Sequence, residues 1–286
     1  MSVRNNLGRE DNLFMGGEEK ELIYLYCVTD KVPKLKEVEN FADKLYFIYR
    51  QGIYAVVSKV KENEFSAENL KKNFANLDWI KEKANIHEKI IEGVMKYTCV
   101  IPFKFGTIFN TEDNLRVMLG EHSEKFKVNL TNLEGKEEWG VKIYCDMERL
   151  KGSTIKEEDE ILKIDKEINS SSSGKAYFLK KKKEELIKDV LNKTINEYGQ
   201  KSFETLKGLS IEARINKLLP KEVTERKDDM ILNSAFLIDK NKVTEFIQAT
   251  DDLKTKYNNK GLNFDCTGPW PPYNFCQFAK EKMQNG

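Results

Sequence analysis

Histidine is nearly absent: the 286 residues include only His87 and His122, beside six prolines. So little imidazole leaves few ways to build a Ser–His or Cys–His nucleophile pair. Neither G-x-G-x-x-G nor G-x-S-x-G occurs, which removes the signatures of a dinucleotide site and of a nucleophile elbow. Charge of one sign is also lacking. Lys and Arg number 48 against 47 Asp and Glu, a net +1, so no global field holds the chain on nucleic acid or an anionic membrane. No apolar run approaches the roughly 20 residues that cross a bilayer, and residues 1 to 20 carry no signal-peptide stretch, so the expected location is the cytoplasm. The five cysteines, Cys27, Cys99, Cys145, Cys266 and Cys276, are odd in number without a C-x-x-C pair, the pattern of free thiols in a reducing compartment.

Two near-matches to catalytic motifs also fail. His87-Glu88-Lys89-Ile90-Ile91 begins like a zinc H-E-x-x-H helix, but Ile91 replaces the second ligand. Gly174-Lys175 resembles the end of a phosphate-binding loop, but Asn169 stands for the first glycine and Ala176 for the hydroxyl. No metal and no cofactor is expected. His87 sits on the apolar stripe of its helix, where a hydrogen-bonded core residue is the expected role. Lys180 to Lys183 read as a solvated helix face.

What is present points to a folded chain. Hydrophobic residues make up 40%, and 16 Phe, 11 Tyr and 3 Trp offset a charged fraction of 33%, which argues against disorder. The length fits about two domains at roughly 150 residues each. Residues 1 to 20 are polar and read as a flexible tail. Leu22 to Val28 is a continuous apolar run suited to a strand covered on both faces. Leu45–Tyr49 and Ile53–Val57 flank Arg50-Gln51-Gly52 as a hairpin. Ile80, Ala84, His87, Ile91 and Val94 mark a helix. Cys99, Ile101, Phe103 and Phe105 alternate as a strand, a helix is expected to start at Asn110 or Thr111, and Trp139, Val141, Ile143 and Cys145 alternate again. A charge run at Glu157–Glu160 and the serine-rich 169–174 suggest a boundary. Beyond it come a helix through Leu186–Ile195, strands near Leu206–Ile215 and Ile231–Ile238, a helix through Val243–Tyr257 and a short strand at Leu262–Cys266. The expected fold class is α+β with two domains, each a small, mainly antiparallel sheet packed with helices. The expected division is 1–20 tail, 21–150 first domain, 151–175 helical and charged linker, and 176–286 second domain.

Two segments are distinctive. Pro102, inside the apolar Ile101–Phe109 run, cannot donate a ladder hydrogen bond and predicts an edge strand or bulge. In Gly268-Pro269-Trp270-Pro271-Pro272-Tyr273-Asn274-Phe275, three prolines fix φ around an indole. The aromatic trio Trp270, Tyr273 and Phe275 suits either the second domain's own core or a partner anchor, and the prolines favour the core for Trp270.

The sequence resembles the gas vesicle protein GvpF/GvpL family. Trp79 and His87, then Pro102-Phe103-Lys104-Phe105-Gly106-Thr107, then Glu138-Trp139-Gly140-Val141-Lys142, Ser173–Leu179 and Thr267–Phe275 carry the resemblance in the family's order. Where the family often has Arg, this chain has Lys104, which does not reproduce a planar bidentate contact. The resemblance implies a second domain with a ferredoxin-like sheet and a non-enzymatic accessory or minor structural role in gas vesicles, cytoplasmic protein-walled compartments holding gas. It further implies contact with the small apolar shell protein GvpA and other accessory proteins, without nucleic acid or membrane. Two other functions compete: an enzyme using His87 and Cys99, and an RNA-binding module presenting stacking aromatics on a ferredoxin-like sheet.

Overall fold

A computed structural model describes residues 20–34, 36 and 45–276. The tail expected over residues 1–20 falls outside these, Lys20 excepted. In chain order the elements are β1 (Glu21–Thr29), β2 (Tyr46–Arg50), β3 (Ile53–Lys61), α1 (Glu62–Phe65), α2 (Ala67–Asn73), α3 (Leu77–Met95), β4 (Ile101–Pro102) and β5 (Ile108–Phe109). There follow α4 (Glu112–Leu133), β6 (Lys136–Cys145), α5 (Met147–Glu157), α6 (Asp159–Asn169), α7 (Ser173–Lys207) and β7 (Glu212–Ile215). The chain continues through α8 (Lys221–Thr224), β8 (Asp229–Asp239), α9 (Val243–Tyr257) and β9 (Leu262–Trp270).

The first sheet has the order β2-β3-β1-β4, with β5 also on β1, and every pairing is antiparallel. Its hairpin turns at Gln51 and Gly52, both at positive φ (49° and 84°), the backbone that a tight two-residue connection needs and that glycine adopts without strain. β1 is buried on both faces, as its unbroken apolar run demands. Ile23, Leu25 and Val28 enter a core with Leu115, Leu119 and Phe126 of α4, while Leu22, Tyr24 and Tyr26 enter another with Ile90, Ile91 and Val94 of α3. A bulge between Leu25 and Cys27 switches the facing partway along the strand. Thr111 Oγ1 accepts from Asn114 N at 3.2 Å and starts α4 as a cap.

The second sheet has the order β7-β8-β6-β9, again antiparallel, with strand–helix–strand–strand–helix–strand connectivity. Three expectations need correction here. The strand at Trp139–Cys145 belongs to this second sheet, paired with β8 and β9, so a boundary at 151–175 would cut it from both partners. Alternation shows that a strand has one buried face but not which sheet provides it. The 151–175 stretch is helical as expected, but it is not a linker between domains: α5 and α6 pack into the second core, and the serine run forms the turn of a helical hairpin with α7 in which Lys183 grips Asp165. The alternation through Cys99–Phe105 yields only the short β4, because the Phe103–Thr107 segment crosses irregularly and is pinned to β1 at its two ends. Phe103 N donates to Tyr26 O at 2.9 Å, and Leu25 N to Thr107 O at 3.0 Å. Pro102 lies where a missing N–H is tolerated, on the short outermost strand beside β1.

Candidate functional site at the junction of the two sheets

The distinctive segments meet where the two sheets join. After Trp270 the chain leaves β9 and inserts Tyr273, Phe275 and Cys276 against the first half. Phe275, 5% exposed, packs with Ala235 and Leu237 of β8 and with the α4-side core of the first sheet, under the Arg214 guanidinium at 5.2 Å. The segment therefore closes the junction rather than the second half's own core. Gly268 allows the departure: a Cβ there would lie 2.8 Å from Trp139 Cδ2 and 3.0 Å from Glu138 O, so only glycine lets the strand pass the Trp139 ring.

Hydrogen bonds lock the clasp. Glu138, 4% exposed on β6, accepts from Asn274 N at 3.0 Å and from Asn274 Nδ2 at 2.6 Å, and burial pushes its carboxyl up to about 7. Tyr273 donates its hydroxyl to Glu88 Oε1 at 2.9 Å. His87 is 1% exposed on α3 and sits at the centre of this network. Its Nε2 lies 3.1 Å from Phe103 O, a pure acceptor, so Nε2 carries the proton and shares it with the Tyr273 oxygen at 3.2 Å. Nδ1 then accepts from Tyr24 Oη at 3.0 Å, whose oxygen accepts from Gly106 N at 3.0 Å. Burial lowers His87 to about 4 and raises both tyrosines, so the imidazole is neutral with both nitrogens occupied. Around it Phe105 meets His87 edge-on and lies tilted against Trp79 at 6.0 Å, and Trp79 Nε1 donates to Glu64 Oε1 at 2.8 Å.

His87, Phe103, Phe105, Gly106, Tyr273 and Phe275 are thus brought together, with Trp79 and Pro102 beside them. Lys104 is exposed; its carbonyl accepts from Thr107 Oγ1 at 2.7 Å, closing the Phe-Gly-Thr turn. On β6, Trp139 Nε1 donates to Glu137 Oε2 at 3.0 Å, Gly140 lies beside the Trp270 indole, and Lys142 pairs in register with Asp265, away from the histidine network. Pro269, which follows a cis Gly268–Pro269 bond, and Pro271 and Pro272 shape the exit from β9.

Trp270 departs from the core expectation. It is 43% exposed, and its Nε1 donates to Thr267 Oγ1 at 3.0 Å, which leaves the ring over the sheet edge. Trp270→Ala is therefore expected to cost less than about 1.5 kcal/mol, well short of the roughly 3–5 kcal/mol of a core aromatic, as read from urea unfolding midpoints. Cys99 packs on the α4-side core and directs Sγ toward Leu130 O at 3.7 Å, while His87 has other partners on the α3 side, so the two form no nucleophile–base pair. Tyr144, on β6, is 4% exposed beneath the Arg226 guanidinium at 4.0 Å and offers no open stacking face. Sequence reasoning missed Tyr24, Glu88, Glu138 and Asn274 as site residues; Glu138 and Asn274 stood inside the segments that carry the family resemblance, and Glu138 is also a carboxylate inside a strand run. Among the described residues no group of three metal-ligating side chains occurs, and no helix is long and apolar enough to cross a membrane.

The fold and junction define a two-sheet α+β protein clasped by its own C-terminal segment. The family model described as gas vesicle synthesis protein GvpL/GvpF matches residues 22–277, and the chain belongs to that family. It is similar to gas vesicle protein L of Streptomyces sp. (strain CB03234), 23% identical over 237 residues that cover 82% of this chain and 85% of the relative. It is similar also to gas vesicle protein F1 of Halobacterium salinarum, 23% identical over 273 residues that cover 93% and 99%. The crystal structure of GvpF from Anabaena sp. PCC7120 shares the fold, with a TM-score of 0.64 at 20% identity, covering 93% of this chain and all of that one. GvpF from Microcystis aeruginosa does so with a TM-score of 0.62 at 19% identity.

Proposed function

We propose that this chain is a non-enzymatic accessory or minor structural component of gas vesicle formation that contacts the apolar shell protein GvpA and other gas vesicle proteins. The family match over residues 22–277 carries the reading. The site chemistry supports it: the buried histidine and carboxylates hold the clasp, and Trp270, Tyr177 (67% exposed) and Phe178 (71% exposed) present aromatic surface outward. A shell subunit whose inner face repels water exposes apolar surface before assembly, and such surfaces aggregate unless masked or ordered. A charge-rich protein with outward aromatics suits that task.

Deleting the gene is expected to abolish or malform vesicles in electron micrographs, with growth otherwise intact. Pairwise co-expression and pull-down with GvpA and each accessory protein should recover at least one direct partner. Normal vesicles in the deletion strain, together with no partner, would overturn the reading.

A further inference from the structure

Beside the clasp a cleft of about 590 Å³ opens between the two halves. That is within the roughly 300–1,000 Å³ of ligand sites. One wall is the Tyr97–Val100 stretch that follows α3, and the other is Pro269, Trp270 and Pro272. We propose that this cleft docks an extended, acidic segment of a partner protein through an aromatic or aliphatic anchor. That the partner is another gas vesicle protein rests on the function proposed above; the chemistry of the segment rests on the cleft.

Shape argues for an extended chain. One wall is irregular backbone after α3 and the other is the end of β9 with the prolines beyond it, and each carries a ring, Tyr97 40% and Trp270 43% exposed. The indole's one polar atom is already bonded to Thr267, so what it offers is apolar ring. Pro269 and Pro272 have no N–H, and the Pro272 carbonyl is taken by Phe275 N and Cys276 N at 3.2 Å each. An incoming strand therefore finds little ladder to extend on that wall. Rings and prolines instead match the grooves that hold extended segments by side-chain contact.

Charge argues for acid. The three carboxylates lining the cleft are already engaged: Glu134 with Lys31 Nζ at 2.6 Å, Glu137 with the Trp139 indole, and Glu138 with Asn274. Of the lysines, Lys31 is held by Glu134 and Lys136 reaches the Asn132 carbonyl. Lys96 and Lys240 pair with no carboxylate among the described residues. Lys34 already covers the Tyr97 ring at 5.0 Å, so the open face is that of Trp270. Four lysines against three carboxylates, one of them raised to about 7 by burial, leave the lining net positive, which complements an apolar anchor flanked by Asp or Glu.

The test uses the full chain and two blocked hexapeptide probes, EPFLPE and KPFLPK, titrated by calorimetry at low salt. EPFLPE should bind at least about tenfold more tightly than KPFLPK and weaken as salt rises. Trp270→Ala and Lys240→Glu should each weaken EPFLPE at least about tenfold, while Tyr177→Ala, on α7 outside the cleft lining, leaves it within about twofold. Lys240→Glu changes an exposed lip residue, so its result stands even if Trp270→Ala perturbs folding. Equal binding of the two peptides, or EPFLPE binding indifferent to both cleft variants, overturns the proposal. So does no EPFLPE binding up to about 1 mM by the full chain and by a chain ending at Cys276. EPFLPE binding only after that truncation would make residues 277–286 the occupant and also overturn it. Cleft binding in a chain dispensable for vesicles keeps this inference and removes the accessory role; vesicle loss on deletion without peptide binding does the reverse.

Discussion

Phe275→Ala is expected to lower the unfolding free energy by roughly 3–5 kcal/mol, the scale of large aromatic truncations in well-packed cores. The ring is 5% exposed, lies among β8 and first-sheet core residues, and has Arg214 above it, so little can collapse into the space it would leave. Typical stabilities are about 5–15 kcal/mol, so this one ring holds a large fraction of the total. Because Phe275 reaches the first-sheet core from the end of β9, the loss should also uncouple the two sheets. Urea unfolding followed by circular dichroism and by tryptophan fluorescence should give one shared transition in the wild type and separated transitions in the variant. Phe275→Leu, which keeps most of the volume, should cost clearly less. A Phe275→Ala midpoint equal to that of the wild type would show that the ring does not close the junction.

The first sheet was largely legible in the sequence because its signals are local. The β1 run, the Gln51-Gly52 turn, the Thr111 cap and the apolar stripe of α3 each depend on neighbours within a few positions, and each stands in the structure where the pattern places it. What stayed hidden is non-local. β6 reads as a strand from its alternation, yet its partners lie about ninety and a hundred and twenty residues downstream, so its sheet could not be read from spacing. Serine richness at 169–174 suits both a flexible linker and a helix–turn–helix corner, and only packing of α6 on α7 separates them.

The candidate site divides the same way. His87 was readable as a core histidine from its place on the helical stripe, and three hydrogen-bond partners account for it. Trp270 misled because prolines fix backbone direction without saying which face the ring meets: after the tight passage at Gly268 the indole lies at the sheet edge, and Tyr273 and Phe275 go inward instead. Glu138 and Asn274 lie in two separate family motifs that nothing in the sequence pairs, and their joint importance arises only when a segment more than a hundred residues away folds back onto β6.

Glu138→Gln is expected to reshape the pH dependence of stability. Glu138 rises from 4.5 to about 7 on burial, so the folded state binds more protons across that interval. Its contribution is fully present below pH 4.5 and is lost as pH rises through 7, a change of roughly 3 kcal/mol. His87 does the opposite. Burial lowers it from 6.5 to about 4, so its contribution is present above pH 6.5 and is lost as pH falls through 4, again roughly 3 kcal/mol. Between pH 4.5 and 6.5 the two slopes oppose each other and the wild-type profile should be shallow there. Asp228, held down to about 2 beside Arg226, titrates below this window, whereas Glu88, raised by burial, adds a little to the falling slope. Removing the Glu138 charge exposes the His87 slope: the unfolding free energy of Glu138→Gln should climb steeply from pH 4.5 to 6.5 and, unlike the wild type, not fall toward pH 7. The Gln oxygen can accept from Asn274 N while its NH2 donates to Oδ1 of a turned Asn274 amide, so the clasp persists while its titration disappears. Urea unfolding at half-unit steps from pH 4.5 to 7.5 measures both curves, and parallel profiles would mean that Glu138 titrates normally and that its carboxylate is not buried in the junction.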